Sequence, residues 1–209
     1  KYLRNESKDE FCAKKDQIFF IDIDKNYEKL ALEIKIVCDN VFYARDLVNE
    51  NSNIVTPQKL ADVSKEFAKQ EGLFYEILDE NNIKEKGLEL LHNVGRGSSN
   101  PPRLIVVKYE GNKESEEVYA LVGKGITFDT GGINIKPSGF LEDMKTDMGG
   151  AACVFSVFKS LVELKVKKNL ILVISSAENS VSGSAYNPGD IFKSYKGLSV
   201  EIVNTDAEG

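Results

Sequence analysis

An α/β fold, with a mixed, largely parallel sheet flanked by helices, is what this 209-residue sequence predicts. Three observations carry that expectation. Apolar runs of strand length recur along the chain, stretches of helical periodicity fall between them, and Gly, Pro or Asn punctuates the joins. Strands that alternate with helices make a sheet with crossover connections.

Residues 1–33 mix charges with one strand-like run, Ile18 to Ile23, and read as the end of an N-terminal domain. From Tyr27 to Asn49 the apolar residues Leu30, Ile34, Val37, Val41, Ala44 and Val48 recur at helical spacing, so residues 34–50 read as a linking helix. Residues 51–209 form the N-terminal part of a second domain. Thr56-Pro57 fits an N-cap followed by Pro at the first helical position, with Leu60, Val63, Phe67 and Ala68 on the inner side. Leu73 to Leu78 then reads as a strand, Asn82 to His92 as a helix, and Arg103 to Tyr109 and Val118 to Val122 as strands. Met148 to Leu164 is strongly helical, and Leu170 to Ser175 and Leu198 to Val203 supply the last two strands.

Composition excludes several functions. A net charge of −6 without any Lys/Arg-rich stretch argues against a nucleic-acid surface. The longest apolar run, Leu170 to Ile174, is too short to span a bilayer. Three widely spaced cysteines make neither a disulfide framework nor a thiolate zinc site, and a reducing cytosolic location is the simplest inference. The single histidine, His92, excludes a multi-histidine metal site and reads as a partly buried structural residue. The chain begins without Met, so truncation at both ends is expected.

Ligands of open α/β sheets bind beyond the carboxyl ends of the strands. Lys124 follows one strand-like run, and Asp206 and Glu208 follow another on a Gly-ended loop. Asp129 before Thr130-Gly131-Gly132, Lys136 before Pro137, and Asp147 before Met148-Gly149-Gly150 complete the set. Four carboxylates in one pocket would repel one another unless cations neutralised them. Two divalent ions would balance Asp129, Asp147, Asp206 and Glu208. Such ions lower the pKa of water and polarise a carbonyl or phosphoryl oxygen, and oxygen and amine ligands permit Mg, Mn or Zn.

Each residue also has a plainer explanation. Asp147 suits a helix N-cap, Asp129 a turn, and Asp206 and Glu208 a surface loop. Lys124 between glycines lacks the spacing of a phosphate-binding loop. Lys136 alone is a solvated lysine, Met144 alone a core residue, and Gly95-Arg96-Gly97-Ser98 a connection.

The order of the blocks is more specific than any member. Val122-Gly123-Lys124-Gly125 with Asp129-Thr130-Gly131-Gly132, Ile135-Lys136-Pro137, Met144-Lys145-Thr146-Asp147-Met148-Gly149-Gly150 and Asn204-Thr205-Asp206-Ala207-Glu208-Gly209 resembles the leucine aminopeptidase (cytosol aminopeptidase) family. Ala44-Arg45-Asp46-Leu47, Asn100-Pro101-Pro102-Arg103, Ala177-Glu178-Asn179 and Asn187-Pro188-Gly189-Asp190 extend the resemblance over about residues 41–209.

The resemblance implies a two-metal exopeptidase that hydrolyses the first peptide bond of peptides with a free N-terminus, with a Leu-like preference. It implies that Asp129 and Glu208 bridge the ions, that Asp206 completes one shell, and that Lys124 with Asp147 completes the other. Zn is the implied metal, with Mn at one position. Lys136 would donate to the oxyanion, Met144 would line the pocket for the first side chain, and a cytoplasmic homohexamer is the implied assembly. It further implies truncation before the family's catalytic Arg, which leaves 51–209 as the N-terminal part of a catalytic domain. The isolated chain is then expected to turn over little, with its last two ligands on a loose end. The alternatives are a two-metal phosphoester hydrolase and a non-enzymatic scaffold of the same fold.

Overall fold

The computed structural model describes residues 25–209. The strand-like run Ile18 to Ile23 lies outside the described residues. In chain order the elements are α1 (Lys25–Asn49), α2 (Pro57–Gln70), β1 (Phe74–Leu78), α3 (Glu80–Glu85), α4 (Glu89–Gly95), β2 (Arg103–Glu110) and β3 (Val118–Asp129). A 3-10 turn (Met144–Thr146), α5 (Gly149–Glu163), β4 (Asn169–Asn179), β5 (Ile191–Lys193) and β6 (Ser199–Glu201) follow.

Helix α1 forms where the apolar spacing placed it and passes unbroken through positions 33 and 34. Much of its apolar stripe, including Leu30, Ile34, Val37 and Val41, stays exposed among the described residues. Helix α2 starts as its sequence dictates, with Thr56 Oγ1 accepting from the Lys59 amide at 3.2 Å and Pro57 opening the first turn. The helical stretch expected over Asn82 to His92 is two short helices, because Gly87 adopts φ +70° and turns the chain between them.

The main sheet has the order β1-β2-β4-β3. Pairs β1/β2 and β2/β4 are antiparallel, and only β3/β4 is parallel, so the sheet is mixed but not largely parallel. Connection length explains this correction. Among the helices that connect strands of the sheet, only α5, at 15 residues, is long enough to bring the chain back over a face for a parallel return. The helices between β1 and β2 have only 6 and 7 residues. Between β2 and β3 the chain simply rounds the end of β4, where Asn169 Nδ2 donates to the carbonyls of Asn112 (2.9 Å) and Ser115 (2.7 Å).

The run Leu198 to Val203 does not join this sheet. Its strand is confined to Ser199–Glu201, paired with β5 in a separate antiparallel ribbon. The turn at Gly197 (φ +86°) folds it straight back on Ile191–Lys193, which leaves Leu198 and Val203 exposed.

The core lies where α2 and α5 cover one face of the sheet. Leu60, Phe67, Ile105, Val107, Phe155, Phe158, Leu172 and Ile174 are buried there. Phe155 is 1% exposed and meets the rings of Tyr43 and Phe67 edge-on, at centroid distances of 6.0 and 6.1 Å. Phe155→Ala should therefore cost about 3–5 kcal/mol in urea unfolding. Val157→Ala on the exposed side of the same helix should stay within about 0.5 kcal/mol. Equal losses would mean that α5 is not packed as described.

Candidate metal centre

Strand β3 carries two of the expected residues, and its length is the first surprise. Rather than stopping at Val122 it runs to Asp129, so Lys124 lies within the strand and Asp129 at its end. Positions 124 and 129 would face opposite sides of a regular strand, because side chains alternate. The register against β4 shifts between Ile126 and Asp129: Ile126 pairs with Ala177 and Asp129 with Asn179. One extra residue on β3 reverses the alternation and brings Lys124 and Asp129 to the same side.

Gly123 allows the next part of the site to approach. A Cβ there would lie 2.8 Å from Ala151 Cα, so only Gly lets the start of α5 pack onto the strand. Asp147 sits in the turn before that helix, and its Oδ2 is 3.0 Å from Lys124 Nζ. It does not cap α5, whose N-cap is Met148 and has no side-chain cap bond. After Asp129 the chain turns through Gly131 (φ +86°), where a Cβ would lie 2.5 Å from the Asn134 carbonyl oxygen. The Lys136 amide donates to Thr130 O at 2.9 Å, which brings its side chain back over the site.

Asp206 and Glu208 arrive on the segment after β6, and this segment is anchored rather than loose. Thr205 is fully buried. Its Oγ1 donates to Gly131 O (2.7 Å) and accepts from Asn134 N (2.9 Å), while its amide donates to Asn134 Oδ1 (2.9 Å). Asn179 Nδ2 and Tyr186 Oη donate to its carbonyl at 2.9 and 2.8 Å. Neither Asn134, Asn179, Tyr186 nor Thr205 stands out in the sequence as functional. Asn179 and Thr205 lie inside blocks that carry the family resemblance, while Asn134 and Tyr186 carry no local signal.

The structure brings all six expected polar residues together. One oxygen from each of Asp129, Asp206 and Glu208 lies within 4.8 Å of the others. Lys136 Nζ is 2.9 Å from Asp129 Oδ2 and pairs with Asp206, while Lys124 pairs with Glu208 and Asp147. Burial alone would lower the pKa of both lysines, but the carboxylates more than reverse this and hold both ammoniums above their ordinary range. Lys124 would bind a metal only as the neutral amine, so an ion must overcome that bias. Burial pushes the Asp147 carboxyl up, partly offset by Lys124.

Four carboxylates face two ammoniums, which leaves an excess of negative charge. Glu208 is the sharpest sign of it. Its side chain is 1% exposed, and Oε2 is buried with no hydrogen-bond donor. An orphaned anionic oxygen is costly, and a cation would satisfy it. The donor set therefore fits a divalent cation held by Asp129, Asp206 and Glu208, with Lys124 and Asp147 adjoining.

Met144 lines a cavity of about 300 Å³ with Lys136, Pro137, Phe140 and Asp206. A second hollow of about 260 Å³, walled by Leu90, Leu91, Val94 and Ile126, opens on Lys124 and Glu208. His92 lies apart, 3.5 Å from Glu80 Oε1 and with its pKa lowered chiefly by burial, in keeping with a structural role.

An acidic cluster bound in by lysines at the carboxyl end of a parallel strand pair makes a candidate cation site on an α/β scaffold. A model of the cytosol aminopeptidase family, catalytic domain, matches residues 42–209. The probable cytosol aminopeptidase of Pseudomonas fluorescens (strain SBW25) is 48% identical over 183 residues, 87% of this chain and 37% of the relative. That of Alkaliphilus oremlandii (strain OhILAs) is 46% identical over 187 residues, 90% of this chain and 38% of the relative. Leucyl aminopeptidase from Trypanosoma brucei, solved with bestatin, superposes with a TM-score of 0.83 at 31% identity, covering 85% of this chain and 34% of that one. The bottromycin maturation enzyme BotP, solved with Mn, gives 0.83 at 34% identity, covering 100% of this chain and 44% of that one. The chain belongs to the cytosol aminopeptidase family. It spans less than two fifths of the length of these two curated relatives.

Proposed function

We propose that the protein carrying this chain is a two-metal aminopeptidase that removes the N-terminal residue, preferably Leu-like, from peptides. The observation that carries this reading is the buried, donorless Glu208 Oε2 beside Asp129 and Asp206, in a chain of this family. In this reading Asp129 and Glu208 would hold both ions, Asp206 would serve one of them, and Lys124 with Asp147 the other. Zn is the expected metal and Mn the alternative, in line with the Mn in BotP. When bound, the ions polarise the scissile carbonyl and lower the pKa of water.

The chain's own residues supply the rest. Lys136, only 14% exposed, aims an ammonium into the cluster, where it would donate to the oxygen that becomes negative as the peptide carbonyl is attacked. Met144, with Pro137 and Phe140 beside it, offers an apolar wall to the first side chain. The same reading makes 1–33 the end of an N-terminal domain, 34–50 a linking helix and 51–209 the N-terminal part of the catalytic domain. A cytoplasmic homohexamer acting on peptides, without nucleic-acid or membrane partners, is the matching assembly.

The test is substrate class. Protein at the length of its relatives, supplied with Zn or Mn, should cleave leucine p-nitroanilide but neither its N-acetyl derivative nor p-nitrophenyl phosphate. Cleavage of the phosphate ester alone would replace the reading with phosphoester hydrolysis, and cleavage of neither reporter would favour a scaffold.

A further inference from the structure

Asn179 is the last residue of β4, fully buried, and pairs in register with Asp129 across the irregular end of β3. Its single amide nitrogen serves both loops that carry the acidic cluster. Nδ2 donates to Asp129 Oδ1 at 2.8 Å and to the Thr205 carbonyl, next to Asp206, at 2.9 Å. The amide can point only one way, since turning it over would set Oδ1 against two acceptors. In the orientation it holds, Oδ1 is buried with no donor of its own. An apolar side chain would avoid that loss and leave neither acceptor bare, since Asp129 Oδ1 keeps the Gly131 amide and the Thr205 carbonyl keeps Tyr186 Oη, so stability alone does not account for Asn at this position.

The consequence for Asp129 is specific. Its Oδ1 takes two N–H groups, from Asn179 and from the Gly131 amide at 2.9 Å. This leaves Oδ2 directed at Lys136 and the centre of the cluster. The other bond holds the backbone from which Asp206 and Glu208 project. We infer that Asn179 is a positioning residue that clamps the Asp129 loop to the Asp206–Glu208 loop at the spacing a divalent cation needs. This rests on the metal reading above. Outer partners of ligating carboxylates set ligand orientation without touching the ion themselves.

The experiment is Mn(II) titration followed by electron paramagnetic resonance, on protein at the length of its relatives, with melting in EDTA measured alongside. Asn179→Leu keeps the branched heavy-atom skeleton, at somewhat larger volume, and removes both N–H bonds. It should weaken Mn binding by about 10–100-fold while melting in EDTA no lower than the native protein. Should the Leu variant fail to fold, Asn179→Ser, smaller and polar, is expected to show the same weakening. Native Mn affinity in a folded variant would overturn the inference. Melting that falls in step with Mn affinity would also overturn it, since Asn179 would then be a packing residue only. A native protein that takes up no Mn, alongside an equally inert Glu208→Gln control, would overturn the metal reading instead.

Discussion

Lys136→Ala is expected to lower kcat by about 100- to 1,000-fold, the usual cost of losing one donor to a developing oxyanion, while the protein keeps its metal. The loop that presents Lys136 is held by backbone bonds and by Thr205, none of which involves the lysine side chain. Truncation to Ala therefore removes an ammonium without moving the cluster. That ammonium lies against Asp129 Oδ2 and pairs with Asp206, two groups assigned here to metal binding. Lysine and cation compete for the same oxygens, so metal content should be retained or should rise. KM should change little, because an interaction made only as charge develops is absent from the ground state. Steady-state kinetics together with elemental analysis decide the matter. Unaltered turnover would remove the catalytic assignment, and loss of metal together with activity would make Lys136 a prop for the acids.

Much of the site was legible because its members sit at element ends, where polarity after an apolar run is conspicuous. Asp206 and Glu208 follow such a run, and Asp129 precedes a Gly pair with φ of +86° and +66°. What was not legible depends on pairing. The apolar run ends at Val122, before Gly123 and Gly125, yet each of these glycines lies in close contact with backbone from another element. Their absent Cβ atoms let the strand continue inside the protein, and the strand is more than twice as long as its apolar run. The reversal of alternation before Asp129 exists only relative to β4. Strand direction is hidden for a related reason: alternation of strands with helices does not reveal which helices are too short to cross a sheet. The role of Thr205 is equally non-local, since its partners Gly131, Asn134, Asn179 and Tyr186 come from three other stretches of chain.

Glu208→Gln should produce the largest loss of metal, greater than the roughly 10–100-fold that removal of an outer partner costs. The substitution is nearly isosteric, so its effect is electrostatic. The native carboxylate is 1% exposed, has one oxygen on Lys124 and leaves the other without a donor. Burying a charge in that state is unfavourable unless a cation completes it. Two opposite results are therefore expected from one variant. In EDTA, Glu208→Gln should melt at or above the native temperature, because a poorly solvated charge is gone and Lys124, still half-exposed, keeps Asp147 as partner. With excess Zn or Mn the order should invert, since only the native protein gains stability by mass action from a ligand bound to the folded state. Melting curves with and without metal read both arms. If metal raised both melting temperatures equally, Glu208 would not be a ligand, and the buried oxygen would need another explanation.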